Sequence, residues 1–171
     1  MLNHGRPPDA WCPRADVKRL DVRSQSSRMA PSHVLVPLDG SPLADDALVH
    51  ALETFDCTVT VLNVVTPVDS SMSESGIVDA GEEREETARE CAQTLIDRAK
   101  RQAEQAGYDV DTAIETGKPA DTILQFAENH AVDHIVMGGH GGDRHKLTRR
   151  LLGTVATDVV GGAPVTVTVV R

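Results

Sequence analysis

Four glycines fall within five residues, at Gly138, Gly139, Gly141 and Gly142, and a Gly153-Thr154 pair follows at the head of an apolar run. Glycine lets backbone N–H groups approach an anion with no Cβ in the way. A helix starting at Gly-Thr presents its positive dipole end and its free N–H groups. The chemistry that suits this spacing is phosphate binding, with the Thr154 hydroxyl as cap or extra donor. Arg144, His145, Lys146, Arg149 and Arg150 stand between the two glycine groups, and such cations offset phosphate charge. A plain β-to-α turn is also glycine-rich, so the loop alone leaves that alternative open. No G-x-x-x-x-G-K-[ST] occurs, because Gly117-Lys118 runs into Pro119, and no G-x-G-x-x-G follows the first strand. Both common phosphate fingerprints are therefore missing.

Other reactive types have simpler uses. Ser41 precedes Pro42 and reads as a helix N-cap; no G-x-S-x-G elbow surrounds it. Asp45-Asp46 and the run GEEREE (81–86) read as acidic first turns that complement helix dipoles. His130 and His134 straddle a helix end and a strand start, so they share no face. His140 and His145 lack a Cys or second carboxylate at metal-ligand spacing. Neither a catalytic residue nor a metal site is assigned. Asp39 could in principle aid hydrolysis of a bound phosphate group, but nothing resembles a base poised over water, so any such activity should be slow.

The elements that position these groups alternate from His33 onward. HVLVPL is a strand buried on both faces. A helix follows from Ser41-Pro42, with Leu43, Ala47, Leu48, Ala51 and Leu52 on one face. TVTVLNVV (58–65) is the second strand, and residues 66–81 read as a mobile connection. Glu82 to Ala106 is a long helix with Ala88, Cys91, Ala92, Leu95, Ile96, Ala99 and Ala103 inward, closed by Gly107. DVDTAIET (109–116) is a polar edge strand. Residues 119–129 form a helix with Ile123, Leu124 and Ala127 inward. HIVMGG is a buried strand, 154–161 a helix, and PVTVTVV (164–170) the last strand. Such alternation calls for a doubly wound, open parallel sheet with helices on both faces, and ligands of such sheets bind beyond the strands' carboxyl ends. The valine–threonine alternation of 164–170 leaves one face uncovered. A homodimer is expected through that strand, antiparallel to a second copy's.

Composition bounds the rest. The chain has 171 residues and a net charge of −9, which argues against partners such as nucleic acid or anionic membrane. No apolar run approaches a membrane span or a secretory signal. Cys12, Cys57 and Cys91 lack C-x-x-C spacing and read as buried or free thiols, as in a reducing cytoplasm. Residues 1–28 hold six basic and three acidic groups, against eleven and 23 in the remainder. Only four of the 17 basic residues are lysine; with the acid excess and few aromatics, this points to a halophilic proteome. Residues 1–31 show no periodicity and are expected to be a disordered N-terminal extension, dispensable or upstream of a start at Met29. The folded domain is expected over 32–171.

Four segments in order, HVLVPLDGSPLADDAL, GKPADTILQFAENHAVDHIVMGGHG, LLGTVATDVV and APVTVTVVR, resemble the universal stress protein family of the adenine nucleotide α-hydrolase-like superfamily. The resemblance implies strand order 3-2-1-4-5, a role as sensor or regulatory module in stress response, and, in its ATP-binding branch, ATP, with Mg2+ accompanying it. It implies that Asp39 and the backbone of Val64 meet adenine, with Pro37 shaping that wall. Met137, Gly138 and Gly141 would border ribose and phosphates, and Gly153, Thr154 and Val155 would take the phosphates, with Arg144 or Lys146 reaching back to them. That branch is marked by G-x-x-G, nine residues, then G-[ST]. Here Gly141 and Gly153 are separated by eleven residues. The surplus leaves two alternatives, a loop bulging outward from an intact site or a loop lifted off the phosphates. The alternative functions are a nucleotide-free, dimeric protein-interaction module, favoured if the insertion closes the pocket, or a slow ATPase.

Overall fold

The structure, a computed structural model, describes residues 30–67, 79–139 and 152–171. Along them run β1 (His33–Pro37), α1 (Pro42–Thr54), β2 (Thr58–Val65), α2 (Asp79–Gln105), β3 (Asp111–Thr116), α3 (Pro119–Asn129), β4 (His134–Gly138), α4 (Thr154–Gly162) and β5 (Thr166–Val170). All four strand pairings are parallel, in the order β3-β2-β1-β4-β5. The chain steps outward from β1 through β2 to β3. Helix α3 then carries it back to β4 on the other side of β1. The direction of winding thus reverses between β1 and β4.

Successive strand residues face opposite sides of a sheet, and two cores follow from that alternation. Val34, Val36, Val59, Val61 and Val136 pack with α1 and α2. Leu35, Leu62, Ile135 and Met137 pack with α3 and α4. Helices therefore cover both faces, and the unbroken apolar run of β1 is explained. Leu35 is wholly buried, which contributes about 1.5–3 kcal/mol for a side chain of its kind.

The expected elements are present, with shifts that have physical causes. Helix α2 begins at Asp79 instead of Glu82, because acidic first-turn residues favour a helix start without any apolar periodicity to announce it. Its buried stripe is narrow, Ala92, Ile96, Ala99 and Ala103, so Cys91, expected inward, is exposed, and Leu95 is half-buried. In α1 the buried place expected for Leu43 goes to Ala44, and in α3 Phe126 is buried where Leu124 is only partly so. Strand β5 starts at Thr166, two residues after Pro164, which has no N–H to give to a ladder.

Strand β3 is an edge, and Asp111, Thr112, Glu115 and Thr116 are exposed on it. Strand β5 is the other edge, and none of its residues is fully buried. Gly107, at φ +86°, ends α2 by giving its N–H to Glu104, while Tyr108 gives its N–H to Ala103. The extension expected over 1–31 lies outside the described residues up to Met29, as does most of the connection expected over 66–81. No described helix is long and apolar enough to cross a membrane.

Candidate functional site

Beyond the carboxyl ends of β1 and β4 lies a cavity of about 310 Å3. Pro37, Asp39, Val64, Met137, Gly138, Gly153, Thr154 and Val155 all line it. Gly141, Arg144 and Lys146, assigned to the same site from sequence, lie outside the described residues. The walls come from six separate elements, β1, α1, β2, α3, β4 and α4, which only the winding reversal between β1 and β4 brings together.

The β1 side is a tight turn. Asp39 Oδ1 accepts the Ser41 N–H at 2.9 Å, the local bond that makes Asp a turn former. Gly40 takes φ +79°, a conformation natural only to glycine. Ser41 Oγ then accepts the Ala44 N–H at 3.3 Å and caps α1, a contribution of about 1 kcal/mol. Leu95 of α2 covers the turn so closely that a Cβ on Gly40 would lie 3.0 Å from Leu95 Cδ2. Farther along, Arg98 donates to both carboxylate oxygens of Asp45, each at 2.6 Å, tying α2 to the first turn of α1. Asp39 itself is exposed at the cavity rim.

The β2 side ends in an interrupted ladder. Leu38 gives its N–H to the Leu62 carbonyl at 2.8 Å, and no further backbone bond joins β1 to β2 beyond it among the described residues. The Leu38 carbonyl accepts the buried Asn63 amide, Nδ2, at 2.7 Å. Backbone groups alternate between the two neighbours of a parallel strand. Val64 is therefore in phase with Leu62 and directs its N–H and C=O past the end of β1, into the cavity.

On the β4 side, glycine has a packing role beside the expected one. A Cβ on Gly138 would lie 2.8 Å from the Leu43 carbonyl carbon and 2.9 Å from the Ala44 nitrogen. Gly138 is thus required by the close approach of α1's first turn, besides any approach of an anion. Gly139 gives its N–H to Val170 and accepts the Gly153 N–H, both at 2.7 Å. The loop between Gly139 and Gly153 is pinned at its two ends by that second bond. Gly138, Gly139 and the start of α4 are thereby tied to one another and to β5.

Helix α4 starts at Gly153 without a side-chain cap. Its first-turn N–H groups have no intrahelical acceptor, and those of Thr154, Val155 and Ala156 stand at the cavity wall. A positive helix end, glycine backbone and an apolar slot formed by Pro37, Val64, Ile123 and Met137 thus meet in one place. This arrangement can bind a flat apolar ring at one end and an anion at the other.

The shifted titrations lie at the opposite end of the sheet. Burial of Asp133 would raise its carboxyl, but hydrogen bonds from the Ser32 N–H and Oγ, each at 2.8 Å, and from His33, with His33's charge, hold it below the usual range. Burial lowers the His134 imidazole; Asp133 opposes this and His50 adds to it. His134 Nε2 shares a 2.9 Å bond with Thr168 and packs against Phe55. His130 stacks on Phe126. The two histidines engage different elements.

A doubly wound parallel sheet with a cavity at its winding reversal, floored by an uncapped helix start, defines an α/β domain whose candidate site lies where ligands of such sheets bind. Residues 31–171 match the Universal stress protein family, and the chain belongs to that family. It is 34% identical over 143 residues to the universal stress protein MJ0531 of Methanocaldococcus jannaschii, covering 81% of each chain. MJ0577 of the same organism is 30% identical over 142 residues. Its solved structure superposes with a TM-score of 0.68 at 28% identity, covering 81% of this chain and 94% of that one. A universal stress protein family member of Arabidopsis thaliana, solved with AMP bound, shares the fold at a TM-score of 0.59 and 19% identity, covering 82% and 91%.

Sequence reasoning passed over several participants, Pro119, Ile123 and Asn63 among them. Pro119 and Ile123 enter the wall from the start of α3; the crossover to the far face at Gly117-Lys118-Pro119 was their signal. Asn63 was visible as the one amide within TVTVLNVV.

Proposed function

We propose that this chain binds ATP in the cavity and acts as a sensor or regulatory module of the stress response. The observation that carries the reading is the joining, in one cavity, of the Val64 backbone edge, unpaired among the described residues, and the start of α4, which has no side-chain cap. Adenine presents a hydrogen-bonding edge on an apolar ring, and its nucleotides carry the anion at the other end. Pro37, Val64 and Met137 supply the apolar wall, with Asp39 and the Val64 backbone at the base. Gly138 and Gly141 border ribose and phosphates. Gly153, Thr154 and Val155 take the phosphates, aided by Arg144 or Lys146, and Mg2+ arrives with the triphosphate. The volume lies at the low end of the ~300–1,000 Å3 range of small-molecule sites.

The same fold carries AMP in the Arabidopsis protein. The pinned ends at Gly139 and Gly153 support the reading in which the two surplus loop residues bulge outward. The half-buried face of β5 supports a homodimer through residues 164–170. The acidic, lysine-poor composition supports a cytoplasm of high salt. The test is to release small molecules from the purified, undialysed protein and identify them. An adenine nucleotide at near-stoichiometric yield is expected. Its absence, with no heat of ATP binding at high salt, refutes the reading and leaves a nucleotide-free protein-interaction module.

A further inference from the structure

We infer that Asn63 is a positioning residue that stops the β1–β2 ladder one rung early and so keeps the Val64 N–H and C=O free to read the edge of a bound base. This rests on the adenine-nucleotide reading of the cavity.

Asn63 is only 7% exposed, in a strand whose neighbours are Leu62 and Val64. A buried amide is costly unless it is bonded, so its position calls for a use. Its Nδ2 donates to the Leu38 carbonyl at 2.7 Å. Pro37 pairs with Leu62 in the parallel register, and the last rung is Leu38 N–H to Leu62 C=O. Continuing the ladder would bring the Val64 N–H to the Leu38 carbonyl and the Gly40 N–H to the Val64 carbonyl. Neither bond forms among the described residues.

Two devices break the rung. Gly40, at φ +79°, takes the chain out of the extended conformation that a further rung would need. Asn63 projects to the face of α1 and α2, as Val61 does, and draws the Leu38 carbonyl to that side. A carbonyl has two lone pairs, so occupancy alone would not exclude Val64; redirection does. The result is a neighbouring donor and acceptor on one residue at the cavity wall. That pair matches the ring nitrogen and 6-amino group of adenine. Hypoxanthine presents the reverse order, so the same edge rejects it.

The test compares wild type with Asn63→Leu, which keeps the side chain's shape without a donor. Amide hydrogen exchange of the ligand-free full chain should show Val64 exchanging at least ~10-fold faster than Leu62 in wild type. In the variant, the Val64 rate should fall towards that of Leu62. ATP should outbind inosine triphosphate by about tenfold in wild type, the scale of one hydrogen bond, and the ratio should fall to near one in the variant. A purely structural Asn63 would weaken both nucleotides alike and leave the ratio unchanged. Wild-type Val64 protected as well as Leu62 overturns the inference, even if the variant fails to fold. A folded variant that keeps both the fast amide and the ATP preference also overturns it. Wild type that binds neither nucleotide, yet shows the fast Val64 amide, refutes the nucleotide reading and the base-reading half while supporting the broken ladder.

Discussion

Replacing Gly138 by alanine adds one methyl group where the end of β4 meets the first turn of α1. That methyl would lie 2.8 Å from the Leu43 carbonyl carbon, 2.9 Å from the Ala44 nitrogen and 2.9 Å from the Leu43 oxygen. All three are backbone atoms, so no rotamer change relieves the overlap, and the helix must retreat by about half an ångström to reach ordinary contact. Overpacking of this kind costs about 1–3 kcal/mol. In a domain of this size each kcal/mol lowers Tm by about 2–4 °C, so thermal unfolding followed by circular dichroism should show a loss of about 2–12 °C. The displaced turn carries the Ser41–Ala44 cap and the Ser41–Asp39 bond, so ATP affinity should fall with stability. Gly139→Ala is the control. Its methyl would meet Val169 Cγ1, the Val170 oxygen and Arg171 Cγ at 3.1, 3.2 and 3.3 Å, and two of these are side chains that can give way. Its loss should be smaller. A Gly138→Ala protein melting within about 1 °C of wild type would refute the steric account and leave Gly138 to ligand approach alone.

Gly161 sits inside α4 with nothing within 4 Å of an added Cβ. Gly161→Ala should therefore stabilise the fold by about 0.5–1 kcal/mol through helix propensity, read as a higher urea midpoint with unchanged slope; an unchanged or lower midpoint contradicts it. His134 sets a pH dependence. Burial holds its folded value below the ordinary one, so the unfolded chain takes up a proton that the folded chain refuses. This contribution is full above about pH 6.5 and is lost as pH falls through the folded value. Urea midpoints of His134→Gln should decline less steeply than wild type below that pH, whereas parallel curves would show that other groups set the slope.

Much of the fold was legible because its signals are local. The continuous apolar runs of β1 and β4 announce strands buried on both faces, and Ser41-Pro42 and Gly107 punctuate two helices where the caps are observed. Strand order and the meeting of Asp39 with Val64 came from resemblance, since no periodicity says which strands are neighbours. The start of α2 at Asp79 escaped because GEEREE offers charge and no apolar stripe. The fit of Gly138 against α1 and the redirection of the Leu38 carbonyl by Asn63 depend on atoms distant in sequence. Gly139 and Gly153 are held together by one hydrogen bond, a contact that counting the residues between them could not show.

The central claim is that an adenine nucleotide occupies the cavity between the ends of β1 and β4 and the start of α4. The most direct measurement is an ATP titration followed by the backbone amide resonances of the full-length protein at high salt. The account predicts saturable shifts concentrated at Asp39, Val64, Gly138 and Thr154 to Ala156, with the far-end residues Asp133 and His134 unmoved. Saturable binding that shifts another surface, or no shift at millimolar ATP, would contradict it.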